Sequence, residues 1–450
     1  MGLFDGTHAP KFQVEFAWGG SATVDPQAGY FILGTSQLDT GQLGSIGWQL
    51  IPAEDIVSMG WRRGQNSELD QASPGSATIV LDNVSGIYDP LNLQSPYMVA
   101  ALQYFHLDQS QLNTGLLGFT ADTGTPIVVG VPVRIVAVIT DPTTGADVQY
   151  PQFRGVVSAM DPDYGLQSTI TFQCLDGLDL LGHRKLSTVA PVNDNDLTGT
   201  RLGRILDAVA WPTSLRSIDA GQSRCTTMVL GDFALPLAQQ IVDTELGNMF
   251  VNGSGTLCFF DRLHPYTQTR STSVQAVFTD DSSSVDYVQI LFGESTDIMY
   301  NEARLTRTGG TEQTFTDTTY AAQYGTRTFP NQAGSQLRTD SDALSLAGWI
   351  VGRFKKPLMR VQSIQVEALP LGQWATLLRL ELLDRIRVIR SYGVNTAGGY
   401  ANTIDRQVFI QGFAVSVTQN SWSISYTTSM ADLFSPFLLD TSKLDSGTPV

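Results

Sequence analysis

Four histidines (His8, His106, His183 and His264) are the side chains best suited to proton transfer near neutral pH, and their spacing argues against shared work. None pairs at i, i+4, none lies in an HExxH arrangement and none neighbours a cysteine, so zinc has no ligand set. The cysteines Cys174, Cys225 and Cys258 are odd in number and widely spaced, with no CxxC pair. Cys174 and Cys258 lie in the apolar runs TFQCL and TLCFF, which predicts buried free thiols and no disulfide staples. Paired carboxylates would serve glycoside hydrolysis, and Asp161/Asp163, Asp176/Asp179, Asp280/Asp281 and Glu381/Asp384 are the candidates. Among 43 acidic residues such pairs arise by chance. Two of them, at 161–163 and 280–281, sit in turn compositions where Asp bonds its own backbone.

Other motifs reduce to structure in the same way. There is no GxSxG elbow, no GxxxxGK[ST] loop and no GxGxxG after a strand. The nearest glycine-rich loop, Asn252-Gly253-Ser254-Gly255-Thr256, joins two apolar runs and reads as a hairpin turn. Asp82 to Asp89 (DNVSGIYD) offers oxygens around a glycine, yet it lacks the alternating order and the final glutamate of a calcium loop, so a tight turn anchored by Tyr88 is expected. The sequons at Asn83 and Asn252 carry meaning only on a secretory route. No residue is therefore assigned as catalytic, cofactor-binding or metal-ligating. No cofactor is expected, and the chain is not read as an enzyme.

The elements that would position these residues are mostly strands. FQVEFAW and GYFILGT open the chain. Ala77, Ile79 and Leu81 alternate with Thr78, Val80 and Asp82, giving a strand with one face towards a core. Residues 91–128 read as a polar loop insertion. VPVRIVAVIT and VQYPQFRGVVSAM then form a hairpin, and STITFQCLDGLDLL passes from strand into a short helix. Residues 1–190 thus predict an antiparallel β-domain, since no crossover helices separate its strands.

Residues 191–285 change character to a small α/β module. Thr198 or Thr200 caps a helix carrying Leu202, Ile205, Leu206 and Val209. A second helix after Asp232 carries Leu235, Ala238, Ile241 and Val242 and stops at Gly247; the NMFV…TLCFF hairpin follows. Strands return over 286–440, with a polar, loop-like stretch at 309–339 and an inserted helix near 340–356. Asp340, Ser341 and Asp342 cap that helix, Leu344, Ala347, Val351 and Phe354 form its apolar face, and Lys355, Lys356 and Pro357 close it. RVQSIQVEAL, ATLLRLELLDRIRVI, RQVFIQGFAVSVTQ and SWSISYTTS are the strands that follow, and 441–450 reads as an exposed tail. FRGVVSAM (153–160) and IQGFAVSV (410–417) echo one another weakly, too weakly to establish a duplication.

A formal charge of −16 excludes nucleic-acid binding by phosphate neutralisation. It is compatible with a channel wall that repels a polyanion, and equally with ordinary solubility. The start, MGLFDGTHAPKF, has no signal-peptide pattern, and no run of 18 apolar residues occurs, so a soluble chain made in a cytoplasm is expected.

Several segments in a fixed order carry a family resemblance. They are Trp61-Arg62-Arg63-Gly64, Glu68-Leu69-Asp70, Pro74 to Thr78, Leu81-Asp82-Asn83 and Gly86-Ile87-Tyr88-Asp89-Pro90-Leu91-Asn92. This order resembles the N-terminal signature of siphophage minor tail proteins of the tail-hub (baseplate hub, tail-associated-lysin-like) family. Ser85-Gly86 stands where a charged residue and glycine are more usual. Phe153-Arg154-Gly155, Cys174 to Gly177, TELGNMFVNGSGTLCFFDR, Tyr300 to Ala303, Tyr324-Gly325 and GFAVSVTQNSWSISYTTS extend the likeness over about residues 55–433.

The resemblance implies a mainly β chain with two tube-type antiparallel β-barrel domains, a small α/β module and an inserted helix. It implies a homotrimer whose pseudo-hexameric ring joins the six-fold tail tube and distal tail ring to a three-fold tip, with DNA passing through unbound. Implied partners are the distal tail protein, the C-terminus of the tape-measure protein, and tip or receptor-binding proteins, all in the virion tail tip. A hexameric distal tail protein is the alternative. A tail-tip carbohydrate-binding or hydrolytic protein is a more distant one, for which the chain leaves no C-terminal room.

Overall fold

The computed structural model describes residues 3, 10–18, 48–92, 94–97, 127–141, 144–187, 194–281, 284–293, 298–330, 333–357, 359–367, 373–394 and 400–431. GYFILGT, His8, His106, nearly all of the expected 91–128 insertion and the C-terminal tail lie outside the described residues. Alternating burial, as along Ser76–Asp82 where Ala77, Ile79 and Leu81 are buried between more exposed neighbours, makes the N-terminal third a set of strands with one face in a core. These are β1 (Lys11–Phe16), β2 (Gln49–Leu50), β3 (Ile56–Gly64), β4 (Ser76–Asp82), β5 (Pro132–Thr140), β6 (Asp147–Asp163) and β7 (Thr169–Asp176), followed by α1 (Gly177–His183).

A module follows, with α2 (Thr198–Ala208), β8 (Arg216–Ile218), α3 (Ala234–Glu245), β9 (Asn248–Val251) and β10 (Leu257–Phe260). Two single-turn helices, α4 (His264–Thr267) and α5 (Thr269–Thr272), lead out of it. Next come β11 (Val274–Thr279), β12 (Val285–Asp286), β13 (Gln289–Gly293), β14 (Glu302–Leu305), β15 (Gln313–Thr316), α6 (Thr318–Tyr324) and α7 (Asp340–Phe354). The chain ends its described part with β16 (Arg360–Glu367), α8 (Trp374–Leu378), β17 (Arg385–Val394), β18 (Tyr400–Thr418) and β19 (Trp422–Met430).

The fold is mainly β. Among the described residues one 14-stranded sheet runs β12-β11-β17-β18-β3-β4-β7-β6-β5-β1-β2, with β19, β16 and β13 branching from the other edge of β18. Pairing within β1 to β7 is antiparallel throughout, as the absence of crossover helices predicts. The strand order repeats. In the first half it is β1-β5-β6-β7-β4-β3, and in the second β11-β17-β18-β19-β16-β13, taken up in the same chain order. Bulges coincide as well, because β6 skips Ser158 against β7 where β18 skips Gln411 against β19. The edge strands differ, since β1 runs antiparallel to β5 whereas β11 runs parallel to β17. The echo between FRGVVSAM and IQGFAVSV is out of register: matched glycines would align Gly155 with Gly412, whereas the ladders align Val156 with Phe409.

Three apolar cores form: one under the large sheet, one in the α/β module and one beneath α7. The module packs α2 and α3 on the sheet β8-β10-β9, in which β8 and β10 are parallel. Several local expectations need correction. Helix α2 begins at Thr198 with Leu197 as N-cap, because the Thr198 hydroxyl is committed to donating to Glu245 at 2.7 Å. Helix α3 ends through Leu246 in the left-handed region (φ 53°), one residue ahead of Gly247. The capping residue of α7 is Thr339, in a reciprocal capping box with Asp342, and Leu344 points outward at 41% exposure. ATLLRLELL, read as strand, supplies α8 and then a turn with Leu383 at φ 64°; its closely spaced leucines are all buried, and their spacing does not separate the two conformations. The 309–339 stretch holds β15 and α6, whose side chains stay mostly exposed and so leave no apolar pattern to read.

Candidate assembly interface

The two halves meet at a seam where β18 pairs first with β17 and then, along the same edge, with β3. Gly412↔Gly64 through Thr418↔Ser58 form seven antiparallel partners. The WRRG segment is the β3 side of this seam. Gly64 has φ 84°, and a Cβ there would lie 2.3 Å from the Gln411 carbonyl oxygen, so only glycine allows the approach. Arg63 donates through Nη1 to both Glu381 oxygens, at 2.8 and 2.9 Å, and its guanidinium lies 4.7 Å from the Phe413 ring centre. Trp61 and Phe413 are buried with it.

The neighbouring acidic loop is a second clamp. Glu68 accepts from Arg353 of α7 at 2.9 Å and from Arg360 of β16 at 3.4 Å, and all three are nearly buried. Beside it lies a cavity of about 740 Å³, lined among others by Glu68, Asp243, Arg262, Trp349, Arg353 and Gln411. Burial holds the Asp243 carboxyl above its usual range against a hydrogen bond from Gln71.

The carboxylate candidates are distributed over structural tasks. Asp176 caps α1 by accepting from Leu178 N at 2.9 Å and ties in Gly75 N at 2.8 Å. Burial pushes its carboxyl up to about 7, against those two hydrogen bonds and the Arg63 charge. Its partner Asp179 faces His183 at 3.5 Å. Glu381 belongs to Arg63. Asp384 accepts from Arg270 at 2.8 Å, and burial raises it although that arginine opposes. Asp161 accepts from Gln173 and Asp163 from Gly165 N, while Asp280 faces Arg390 and Asp281 takes the Thr279 hydroxyl.

The other motif candidates resolve as turns and anchors. In the calcium-like stretch, Asp82, Asn83 and Asp89 accept from backbone N–H groups of Val84, Tyr88 and Leu91. Tyr88 donates to Asp55 at 2.5 Å, and burial pushes its hydroxyl well above the usual range. Asn252 accepts from Ser254 N and Thr256 N, closing the β9–β10 hairpin. His264 faces Asp219 at 2.7 Å and stacks on Phe260. All three cysteines are free and buried. Among the described residues no cluster of three His, Cys, Asp or Glu is placed to hold a metal, and no helix is long and apolar enough to cross a membrane.

Glu245 was not singled out by sequence. It lies fully buried in the module, accepting from Thr198 Oγ1, Gln222 N and Ser223 N. Its signals were its place at the end of the α3 pattern and in the segment TELGNMFVNGSGTLCFFDR that carries the resemblance.

No family model and no curated protein matches this sequence. Solved structures do resemble the fold. A tail protein from Neisseria meningitidis MC58 aligns over 85% of this chain and 94% of its own, with TM-score 0.50 and 10% identity. The 43 kDa tail protein of prophage MuSo2 from Shewanella oneidensis aligns over 86% of this chain and 97% of its own, with TM-score 0.50 and 13% identity. The chain thus has a fold seen in phage tail proteins, along nearly the whole length of each.

Proposed function

We propose that this chain is the structural tail hub of a long-tailed bacteriophage. In this reading its two β halves, 1–190 and from β11 at Val274 to 440, are two tube-type barrel domains. The module from α2 to β10, shorter than the 191–285 read from sequence because β11 joins the large sheet, and α7 are set between and upon them. The observation that carries it is the strand order repeated within one chain and fused by the β3–β18 seam. Three such chains present six similar units, which is what a joint between a six-fold tube and a three-fold tip requires. The chain acts by binding and assembly, without turnover, because its charged clusters are spent on caps, turns and ion pairs.

Its partners would be the distal tail ring, the tape-measure C-terminus and tip or receptor-binding proteins. DNA would pass without specific contact along an acidic wall in the virion tail tip. The alternative, a hexameric distal tail protein, needs only one such unit per chain. Native mass measurement of the purified ring decides between them. Three copies are expected, and a six-copy ring would replace the hub reading with the alternative. Clearing of host cell wall in a zymogram would overturn the non-enzymatic reading.

A further inference from the structure

The seam within the chain has a second, unused counterpart. The ladders make β6 the equivalent of β18, with Ser158 at the position of Gln411, and β13 the equivalent of β3, with Gln289 at the position of Ser58. Even the hydrogen bonds beside the bulges correspond. Val157 N donates to Val131 O and Gly130 N to Val157 O, as Ile410 N does to Asp384 O and Leu383 N to Ile410 O. Beyond its bulge β18 is taken up by β3 on this edge. Beyond its own bulge β6 runs on from Ser158 to Asp163, paired only to β7 among the described residues. β13 is likewise paired only to β16. Among the described residues both edges are left open.

Side chains along these edges repeat the seam's pattern without its burial. Phe413, Val415 and Val417, all buried against β3, correspond to Met160, Pro162 and Tyr164, of which Met160 and Pro162 are half-buried and Tyr164 is 62% exposed. Buried Met59 and Trp61 correspond to half-buried Ile290 and Phe292. Exposed Leu166 and Val288 flank the same two edges. An apolar row that is buried in one copy of a motif and open in the other is what a missing strand partner leaves.

We infer that the outer edge of β6 in one copy pairs antiparallel with the outer edge of β13 in a second copy, repeating the β18–β3 seam between chains. The inference deepens the ring reading and rests on it only for the number of copies. Carried over, the seam's register places Asp161 opposite Gly293, Pro162 opposite Phe292 and Asp163 opposite Leu291. The contact is head-to-tail, since each chain offers one edge of each kind, and such contacts build rings. Gln65 N donates to Gln411 O, so Phe413, Val415 and Val417 face β3 with their amides. Pro162 stands at the Val415 position and supplies only its carbonyl there, so this ladder holds one hydrogen bond fewer than the seam.

The test is a disulfide in this register. Asp163 and Leu291 oppose one another at a non-hydrogen-bonded position, where paired cysteines bridge readily, and the native thiols are buried. Oxidised D163C/L291C should give a ladder of covalently linked chains on a non-reducing gel, most of the protein entering it. Either single variant, and the shifted pair D163C/I290C, should stay at least tenfold less linked. Mass photometry of the same samples counts the copies. A ladder ending at six keeps this pairing and removes the hub reading. A three-copy ring without the crosslink keeps the hub reading and overturns this pairing, and so does protein that stays single with no crosslink.

Discussion

Asp176 shows how a charged residue in a chemically suggestive pair becomes a structural one. Its two oxygens are divided between the cap of α1 and the amide of Gly75, in a site where burial favours the protonated acid. The folded state therefore keeps a proton that the unfolded chain releases near pH 4, and stability falls as pH rises between about 4 and about 7. The urea midpoint should decline over that window, by at most about 1.4 kcal/mol per pH unit, and Asp176→Asn should flatten the decline while lowering stability overall. Arg63 is the converse case, a cation whose carboxylate and ring partners sit on the opposite half of the molecule. Arg63→Ala should cost about 2–3 kcal/mol in urea unfolding, because Glu381 is left beside an apolar seam; its 28% exposure keeps the cost at the low end for a broken pair.

At the scale of elements, β3 and β18 make the molecule one piece, and their contact depends on a glycine. Gly64→Ala would force a Cβ onto the Gln411 carbonyl at a backbone conformation that disfavours side chains, so the strands must separate. Hydrogen exchange of β3 and β18 amides should rise together, with a loss above about 1 kcal/mol. Gly309→Ala, also at positive φ (73°) but facing open space, should cost about 1 kcal/mol and leave the seam protected. Elements with a strong local pattern were legible in advance. The VPVRIVAVIT hairpin, the two module helices and the inserted helix fall where apolar spacing put them. Helix α8 was not legible, because its leucines satisfy a strand and a helix equally. Caps shifted by a residue or two for the same local reason: Thr198 had a better acceptor in Glu245 than in its own helix.

For the whole molecule, two similar halves in one chain matter more than any single site. A repeat fused in tandem turns a three-copy ring into six near-equivalent positions without needing six chains, and this makes the copy number the decisive measurement. The acidic balance of −16 fits a surface that does not hold DNA. Signature residues once grouped only by order prove to be joints of this architecture. WRRG forms the seam, Glu68 clamps α7 to β16, and Tyr88 pins its loop on Asp55.

The sequence by itself determined the type of those elements whose apolar spacing has a single period, such as the VPVRIVAVIT strand and the two module helices, because burial on one face imprints that period on the chain. It also determined that the glycine loop at 252–256 is a hairpin turn, since that composition acts locally; Asp161 and Asp163, read as turn residues, instead close the long strand β6. Only the tertiary structure decided that the two halves repeat one strand order, which strands join them and which edges are left open. Strand pairing is a contact between segments up to hundreds of residues apart, and its register leaves no local mark. The faint echo at 153–160 and 410–417 therefore pointed to the right strands in the wrong alignment.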